Sequence, residues 1–559
     1  MNRTLPLNLA LLLVIAGCSP TDDQAADEVL ISFVGTNDVH GSLLPKGDNG
    51  GLTTLSGYVN AVRAARAADG GAVVLIDAGD MWQGTLESNL VEGAAVVQAF
   101  NALGYAAAAV GNHEFDFGPV GPKPIPEADS DDPRGALKLR ATEATFPFLA
   151  ANLIDQSTGE PVVWENVQPT VLIEAAGVKI GIVGVMTEYA LSSSIAANTV
   201  GLTVAPLAAT IEREARILRN AGAAIVIVTA HSGGECTDFS DPSDTSSCSL
   251  GDEIFVVAQA LPAGLVDHIF AGHMHEGIAH IVNGVSITSS YSRTEAFSRV
   301  DMKVDRKTGR RTDRTIYPPT RAEQYGSYEG RDIVPNPAVV AIAERAAEFV
   351  EELKRENIGV FLETPFVLTD TPESALGNLY TDAMLASADA DISIHTNNTS
   401  IRADLPAGEL TFGSVFEMSP FDNTLEVIVL SGAELRQVIA EQSHIGDNRI
   451  GFSGMRVFVE CADKDMSVTM RLDDGRKVRD SDSIAVAMVN YLALGGDEIF
   501  KSVMPAGGYE LHPGAPFVRD LIIEWLRNRG GTISANEFMT TENPKWNMPE
   551  SLHRECRLN

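Results

Sequence analysis

The chain has 559 residues, 45% of them hydrophobic and 21% charged, a globular composition too long for one core, so two domains are expected. Its 75 acidic against 41 basic residues give a formal charge of −34, which excludes a nucleic acid polymer as partner, because phosphate contacts need Lys and Arg. The same field repels a small phosphate ester at long range, so an ester site needs local positive charge, of which bound metal ions are one source.

In chain order, Arg3 precedes the apolar stretch LPLNLALLLVIAGC, too short to span a membrane as a stable helix and ending in small residues, as an export signal does. IAGC at 15–18 looks like the lipobox of a bacterial lipoprotein, with cleavage before Cys18 and a diacylglyceryl anchor on its thiol. Residues 1–18 are then the signal and 19–28 a polar tether. Ser19 follows the cysteine where Asp would favour inner-membrane retention, which points to the outer membrane. The expected location is periplasmic or cell-surface, with the lipid as the membrane contact.

From 29 to 335, strand-like and helical runs alternate in an α/β pattern. Five apolar runs, at 31–36, 72–76, 106–110, 223–228 and 266–270, each lead into a polar motif. The motifs are TNDVHG with Asp38 and His40, DAGD with Asp80, GNHEFD with Asn112, His113 and Asp116, TAHSG with His231, and AGHMH with His273 and His275. In an open α/β sheet, ligands bind beyond the carboxyl ends of the strands, so these motifs are expected to meet in one cleft.

The residue types suit a pair of divalent ions, which polarise a phosphoryl group and generate hydroxide near neutral pH. One ion would take Asp38, His40, Asp80 and His275; the other Asp80, Asn112, His231 and His273, with Asp80 bridging. Nitrogen and oxygen donors without thiolate suit Zn, Mn, Fe or Co. His113 is left to face the substrate, its ring oriented by Asp116. Taken singly, each motif reads equally well as a strand-end turn or a hydrogen-bonded histidine; five in this order favour the metals. His268, His280, His395, His444, His512 and His553 are read as ordinary core or surface residues.

Residues 119–136, rich in proline and acid, read as a solvated insertion beside GNHEFD, with a lid as the alternative. Cys236 and Cys248 flank an 11-residue polar loop after His231, and a disulfide there would stiffen the segment in an oxidising compartment. Elimination leaves Cys461 and Cys556 to pair, and no CxxC or Cys/His spacing suggests structural zinc. Residues 336–359 read as one amphipathic connector helix, with Pro337 in its first turn and Gly359 near its end. A second α/β domain is expected over 360–545, followed by a tail at 546–559.

These motifs resemble the calcineurin-like metallophosphoesterases, and more narrowly the bacterial periplasmic 5′-nucleotidase family, from about residue 29 to about 535. The resemblance implies an N-terminal metallophosphoesterase α/β sandwich, the connector helix, and a separate α/β substrate-binding domain that swings relative to the first. In the second domain it extends over ESALGN, HTNNTSIRADLPAG, SPFDN and NYLALGGD. Carried over by position, Asn397 and Arg402 would contact the base or phosphate, Phe421 and Tyr491 would clamp the base, and Asp497 would bind the ribose; core packing is the alternative for the two rings.

Three departures bear on specificity. His275 stands where many nucleotidases carry Gln or Asn; Asp370 and Pro372 stand where arginines usually precede the ESALGN motif; and Asn398, Thr399 and Ser400 replace a glycine-rich turn. GGDEIF at 495–500 looks like a cyclic-dinucleotide synthase signature but carries an extra Ile499 and no surrounding GTP-cyclase pattern. The reading is an exported, lipid-anchored, two-metal phosphohydrolase that releases phosphate from nucleotides by metal-activated hydroxide. The alternatives are a 2′,3′-cyclic-nucleotide phosphodiesterase or a sugar-nucleotide pyrophosphatase on the same centre, and a non-enzymatic ligand-binding lipoprotein, which loss of a ligand residue would favour.

Overall fold

The structure is a computed structural model describing residues 28–47, 50–128, 130–369, 373–396, 400–443, 450–462, 464–505, 508–509, 511–512, 515–539, 544–548 and 556–558. Cys18, Asn397 and much of the expected tail lie outside them. The first half contains β1 (Glu28–Thr36), α1 (Gly51–Asp69), β2 (Ala72–Asp77), α2 (Ala94–Leu103), β3 (Ala107–Ala109), β4 (Phe148–Leu149) and β5 (Val167–Gln168). It continues through β6 (Thr170–Ala175), β7 (Val178–Met186), α3 (Leu207–Asn220), β8 (Ile225–His231) and β9 (His268–Ala271). Two hairpins, β10 (Gly277–Val282) with β11 (Val285–Ser290) and β12 (Ala296–Asp305) with β13 (Arg311–Arg321), complete it.

These strands make two sheets, ordered β13-β12-β1-β2-β3-β4-β5 and β10-β11-β9-β8-β7-β6. The centre of each is parallel: β1 with β2, β2 with β3, and β8 with both β7 and β9. Such strands are covered on both faces, which is why AVVLI and IVIV are continuous apolar runs rather than alternating ones. The sheets pack face to face through Ile31, Phe33, Val74 and Ile76 on one side and Ile180, Ile182, Ile227 and Phe270 on the other. Each such side chain, fully buried, contributes about 1.5–3 kcal/mol. The approach is close: a Cβ on Gly35 of β1 would stand 2.2 Å from the Phe270 ring. Helices α1 and α2 cover the outer face of the first sheet and α3 that of the second. This is the expected sandwich, and it turns the carboxyl ends of β1, β2, β3, β8 and β9 to one edge.

α4 (Pro337–Lys354) follows, capped by Asn336, whose side chain accepts a hydrogen bond from the Ala338 N–H, with Pro337 in the first turn. The helix stops short of the expected end at 359. Residues Asn357–Leu362 form β14 instead, paired with β16 (Gly408–Thr411) and β20 (Gly531–Ile533), after α5 (Ala375–Ala386) and β15 (Ile392–Thr396). The apolar period of 336–359 could not register that pairing, since both partner strands are distant in sequence. Gly359 lies within β14 at φ +81°. The main sheet of this half runs β17-β19-β15-β18, with β17 (Leu425–Ser431), β18 (Ile450–Ser453) and β19 (Ser483–Val489); α6 (Val518–Arg529) packs alongside. The halves meet where Val350 of α4 packs with Leu86 and Phe416, and where Lys46 pairs with Glu417 at 2.5 Å.

Candidate active site

The loops after β1 and β2 zip together: the amides of Asp38, His40 and Gly41 donate to the carbonyls of Gly79, Asp80 and Met81, each at 3.0 Å. The loop after β3 joins through the carboxylate of Glu114, which accepts from the amides of Asp80, Met81 and Gly111 at 2.7–2.9 Å. A Cβ on Gly111 would come within 2.3 Å of Asp80 Oδ1, so glycine is what lets the two loops touch. Asp38, His40, Asp80, His273 and His275 all have φ between +48° and +77°. That region costs non-glycine residues about 1–3 kcal/mol each and persists only where surrounding bonds over-determine it.

The side chains gather into two groups, Asp38 with His40 and His275, and Asp80 with His231 and His273; within each, the donor atoms lie within 4.8 Å of one another. His40 Nδ1 faces the Gln83 carbonyl at 2.8 Å and so carries the proton, leaving the Nε2 lone pair aimed at His275 Nε2, 3.0 Å away. His275 Nε2 stands 3.4 Å from Asp38 Oδ1. His231 repeats the arrangement: Nδ1 faces the Ala78 carbonyl at 2.9 Å, and Nε2 faces Asn112 Oδ1, Asp80 Oδ2 and His273 Nδ1 at 3.0, 3.1 and 3.2 Å. Lone pairs aimed at lone pairs are what a cation would resolve, and the carbonyls orienting each ring are the usual partners of metal-ligating histidines.

The electrostatics agree with that fit. Burial, and then His275, push His40 well below its usual range, so it is neutral. Burial, and then His231, take His273 down to about 4. At His231 burial opposes protonation, yet Asp80 outweighs it and lifts the ring to about 10, so the pocket draws positive charge to the Asp80–His231 contact. The donor set therefore suits two divalent ions.

His113 belongs to neither group. Its amide donates to Asp80 Oδ1 at 2.9 Å, and its Nδ1 meets Asp116 Oδ2 at 2.6 Å. Burial works against a charged His113, but Asp116 and Asp80 overcome it and raise its pKa. The ring lies 5.3 Å from that of His40 and stacks toward Phe421 at 6.1 Å.

Phe421 comes from the other half of the chain. A cavity of about 470 Å³ is lined by Asp80, Asn112, His113, Asp116, His273 and His275 from the first half, and by Arg402, Phe421, Tyr491 and Asp497 from the second. The Arg402 guanidinium sits 5.2 Å from the Phe421 ring centre, and the Tyr491 hydroxyl donates to Asp497 Oδ1 at 2.8 Å. Asp497 thus fixes the Tyr491 ring, a contact that the sequence did not suggest. Asp38, His40 and His231 sit behind this wall, and Thr396 and Ser400, on either side of Asn397, line it.

Several residues escaped the sequence reading. Glu114 was visible within GNHEFD, but nothing in the motif says that its carboxylate gathers three amides. Asn37 bonds Asp38 at 2.8 Å and the amide and hydroxyl of Ser290 at 3.0 and 2.9 Å, tying β1 to β11. Arg519 on α6 donates to the Phe421 carbonyl at 3.2 Å and to Asp422 at 2.6 Å, so it holds the aromatic loop. Ser193 and Ile195 line the cavity, and the Ser193 carbonyl accepts from Asn112 at 3.1 Å. The insertion 119–136 supplies no cavity-lining residue among those described and instead docks on Asn198, which donates to the Pro124 carbonyl at 2.8 Å. Among the described residues, Cys236–Cys248 and Cys461–Cys556 form disulfides.

Comparison with known proteins matches two separate stretches of the chain. Residues 31–277 match the calcineurin-like phosphoesterase family and residues 358–503 the 5′-nucleotidase C-terminal domain. A cell wall protein of Listeria monocytogenes is 26% identical across 85% of this chain, which spans 65% of that protein's length. A 5′-nucleotidase of Vibrio cholerae is 23% identical across 88% of this chain and 90% of its own. The crystal structure of a 5′-nucleotidase precursor from Thermus thermophilus superposes with a TM-score of 0.71 at 21% identity, over 94% of this chain and all of that one, so the fold is shared.

Proposed function

We propose that this chain, which joins a calcineurin-like phosphoesterase domain to a 5′-nucleotidase C-terminal domain, hydrolyses phosphate esters of nucleotides to nucleoside and phosphate. One observation carries the reading: a single cavity has metal-type donors on one wall and Phe421, Tyr491 and Arg402 on the other. Its size is that of a small-molecule site rather than a polymer groove.

In this reading Asp38, His40 and His275 hold one divalent ion and Asn112, His231 and His273 the other, with Asp80 shared. A metal pair there would polarise the phosphoryl oxygens and acidify water for in-line attack. His113 supplies a proton to the leaving oxygen from Nε2, since Nδ1 is committed to Asp116. Asp116 keeps the ring charged and aimed. Arg402 adds the positive charge that an acidic chain must concentrate locally for an anionic substrate. Phe421 and Tyr491 offer aromatic faces to the base, and Asp497 both holds Tyr491 and presents a carboxylate toward the ribose. Asn397, which lies outside the described residues, is proposed with Arg402 to contact the base or phosphate.

Residues 1–18 are proposed as an export signal, with lipid attached at Cys18 and the protein facing the periplasm or the cell surface. Among the described residues no helix is long and apolar enough to cross a membrane. Cys18→Ala is expected to move the protein from the detergent phase to the aqueous phase, or to leave uncleaved precursor; unchanged partitioning refutes the anchor.

The deciding experiment strips the full chain of metal, restores Zn, Mn, Fe or Co in turn, and measures phosphate release from a substrate panel. The panel holds nucleoside mono-, di- and triphosphates, 2′,3′-cyclic nucleotides, sugar nucleotides and single-stranded DNA. Release from nucleoside phosphates above all others is expected. Preference for a cyclic or sugar nucleotide would move the assignment to one of those substrates on the same centre, and turnover of DNA alone would overturn it.

A further inference from the structure

A third group of metal-type donors, Cys236, Cys248 and His280, lies away from the cavity. The Sγ atoms of Cys236 and Cys248 and one ring nitrogen of His280 all fall within 4.8 Å of one another. Cys236 and His280 are fully buried and Cys248 is partly accessible. His280 Nε2 meets the Asp238 carbonyl at 2.9 Å, so it carries the proton and leaves the lone pair on Nδ1. That Nδ1 is buried with no hydrogen-bond partner among the described residues. A buried imidazole nitrogen without a partner has lost its hydration with nothing in return, a cost that a ligand would remove.

The cysteines form a disulfide in this structure, but the disulfide is not what holds them opposite each other. They sit at an antiparallel bridge flanked by two backbone bonds, Ser249 N–H to the Glu235 carbonyl at 3.0 Å and Thr237 N–H to the Ser247 carbonyl at 3.3 Å. The same loop is tied to β10 by Cys236 N–H to the Gly277 carbonyl and by Ile281 N–H to the Pro242 carbonyl, at 3.2 and 2.8 Å. Cutting the S–S bond therefore leaves two thiols facing one another beside the His280 ring.

We propose that reduction of Cys236–Cys248 opens a soft-metal site, in which Cys236, Cys248 and His280 Nδ1 bind a zinc-type divalent ion. A small dithiol supplies two electrons and two protons: the protein S–S bond breaks to two thiols and the dithiol closes to its own disulfide. Metal binding then forms two metal–sulfur bonds and one metal–nitrogen bond and releases the two thiol protons to solvent. Two thiolates and one imidazole with a fourth position open to water is a known zinc arrangement, and thiolate sets the site apart from the catalytic groups, which contain none. The loop leaves β8 just after His231 and meets β10 just after His275, so the site sits between two segments that carry catalytic donors.

The test uses the full chain, oxidised or reduced with a dithiol and desalted without oxygen, titrated with Co²⁺ and followed by absorption. The reduced chain is expected to take up one more Co²⁺ than the oxidised chain and to show an intense near-ultraviolet thiolate-to-cobalt band. Because Cys461 and Cys556 are also reduced, the assignment rests on His280→Gln, which keeps every cysteine and should weaken the extra binding by about ten-fold or more. Cys236→Ser should abolish it. Equal uptake by both redox forms, uptake without the band, or unchanged affinity in His280→Gln overturns the site. Loss of far-ultraviolet circular dichroism on reduction overturns it too, since backbone pairing is then not what positions the thiols.

Discussion

The two walls of the cavity are built differently. On the metal-donor wall, strand ends from two sheets meet and the loops are bonded to one another through backbone groups and the Glu114 carboxylate. Five of its residues are held at positive φ, a strain that only a dense network sustains. On the aromatic wall, Phe421 and Arg402 stand on loops and Tyr491 in a one-turn helix, Asn490–Ala493; Arg519 grips the Phe421 loop, Asp497 holds the Tyr491 ring, and the Arg402 amide donates to the Met418 carbonyl at 2.8 Å. The walls touch through thin contacts, such as the Asn89 and Gln83 amides to the Pro420 carbonyl at 3.1 and 3.4 Å. Chemistry that must place two ions needs the first kind of construction; recognition of a variable base and sugar tolerates the second.

The contrast can be broken at four points. The largest effect is expected on the rigid wall: Asp80→Asn should lose bound metal and activity together, by elemental analysis and phosphate release, and two metals per chain in that variant would refute a bridging role. Next, His113→Ala should keep both metals yet slow turnover by about 10²–10⁴-fold, the scale of a general acid. Loss of a metal would instead make His113 a ligand.

On the aromatic wall the expected effect is smaller and depends on substrate. Phe421→Ala with Tyr491→Ala should cost about 1–3 kcal/mol of transition-state stabilisation per lost stacking face for a nucleotide, read as kcat/KM. It should hardly change hydrolysis of para-nitrophenyl phosphate, which has no base to stack. Equal loss on both substrates would make these rings structural, and no loss would mean the base binds elsewhere.

The smallest effect concerns stability behind that wall. His395 is buried against Tyr380, and burial takes its pKa down to about 4. The unfolded chain binds a proton there below about 6.5. The folded protein does not until about 4, so stability falls as pH drops between those values, by up to about 1.4 kcal/mol per unit. In a denaturant titration at pH 5, compared with pH 7.5, His395→Gln should lose less stability than the parent chain; an equal loss removes His395 as the cause.

The order of five strands, each ending in a polar motif, could be read from the residues alone, because apolar runs and the types of metal donor are local properties. So could the amphipathic connector, though not its end: whether Asn357–Leu362 is helix or strand depends on partners about 50 and 170 residues away. Glu114 and Arg519 were in plain view as letters, yet a carboxylate that gathers three amides, or a guanidinium that grips a distant loop, exists only once the backbone has closed around it. Asn37 was likewise silent until β1 and β11 came together.

His280 makes the same point from the opposite direction. Its spacing from Cys236 and Cys248 matches no zinc pattern, and as a single letter it is an ordinary core histidine. What the sequence determined by itself was the inventory: two α/β units, a set of hard and imidazole donors at strand ends, and aromatic residues in the second unit. What only the tertiary structure decided was adjacency, which lone pairs face one another and which walls share a cavity. The physical reason is that donor chemistry and periodicity belong to residues, whereas distances of about 3 Å between residues hundreds of positions apart are set by sheet order and loop closure.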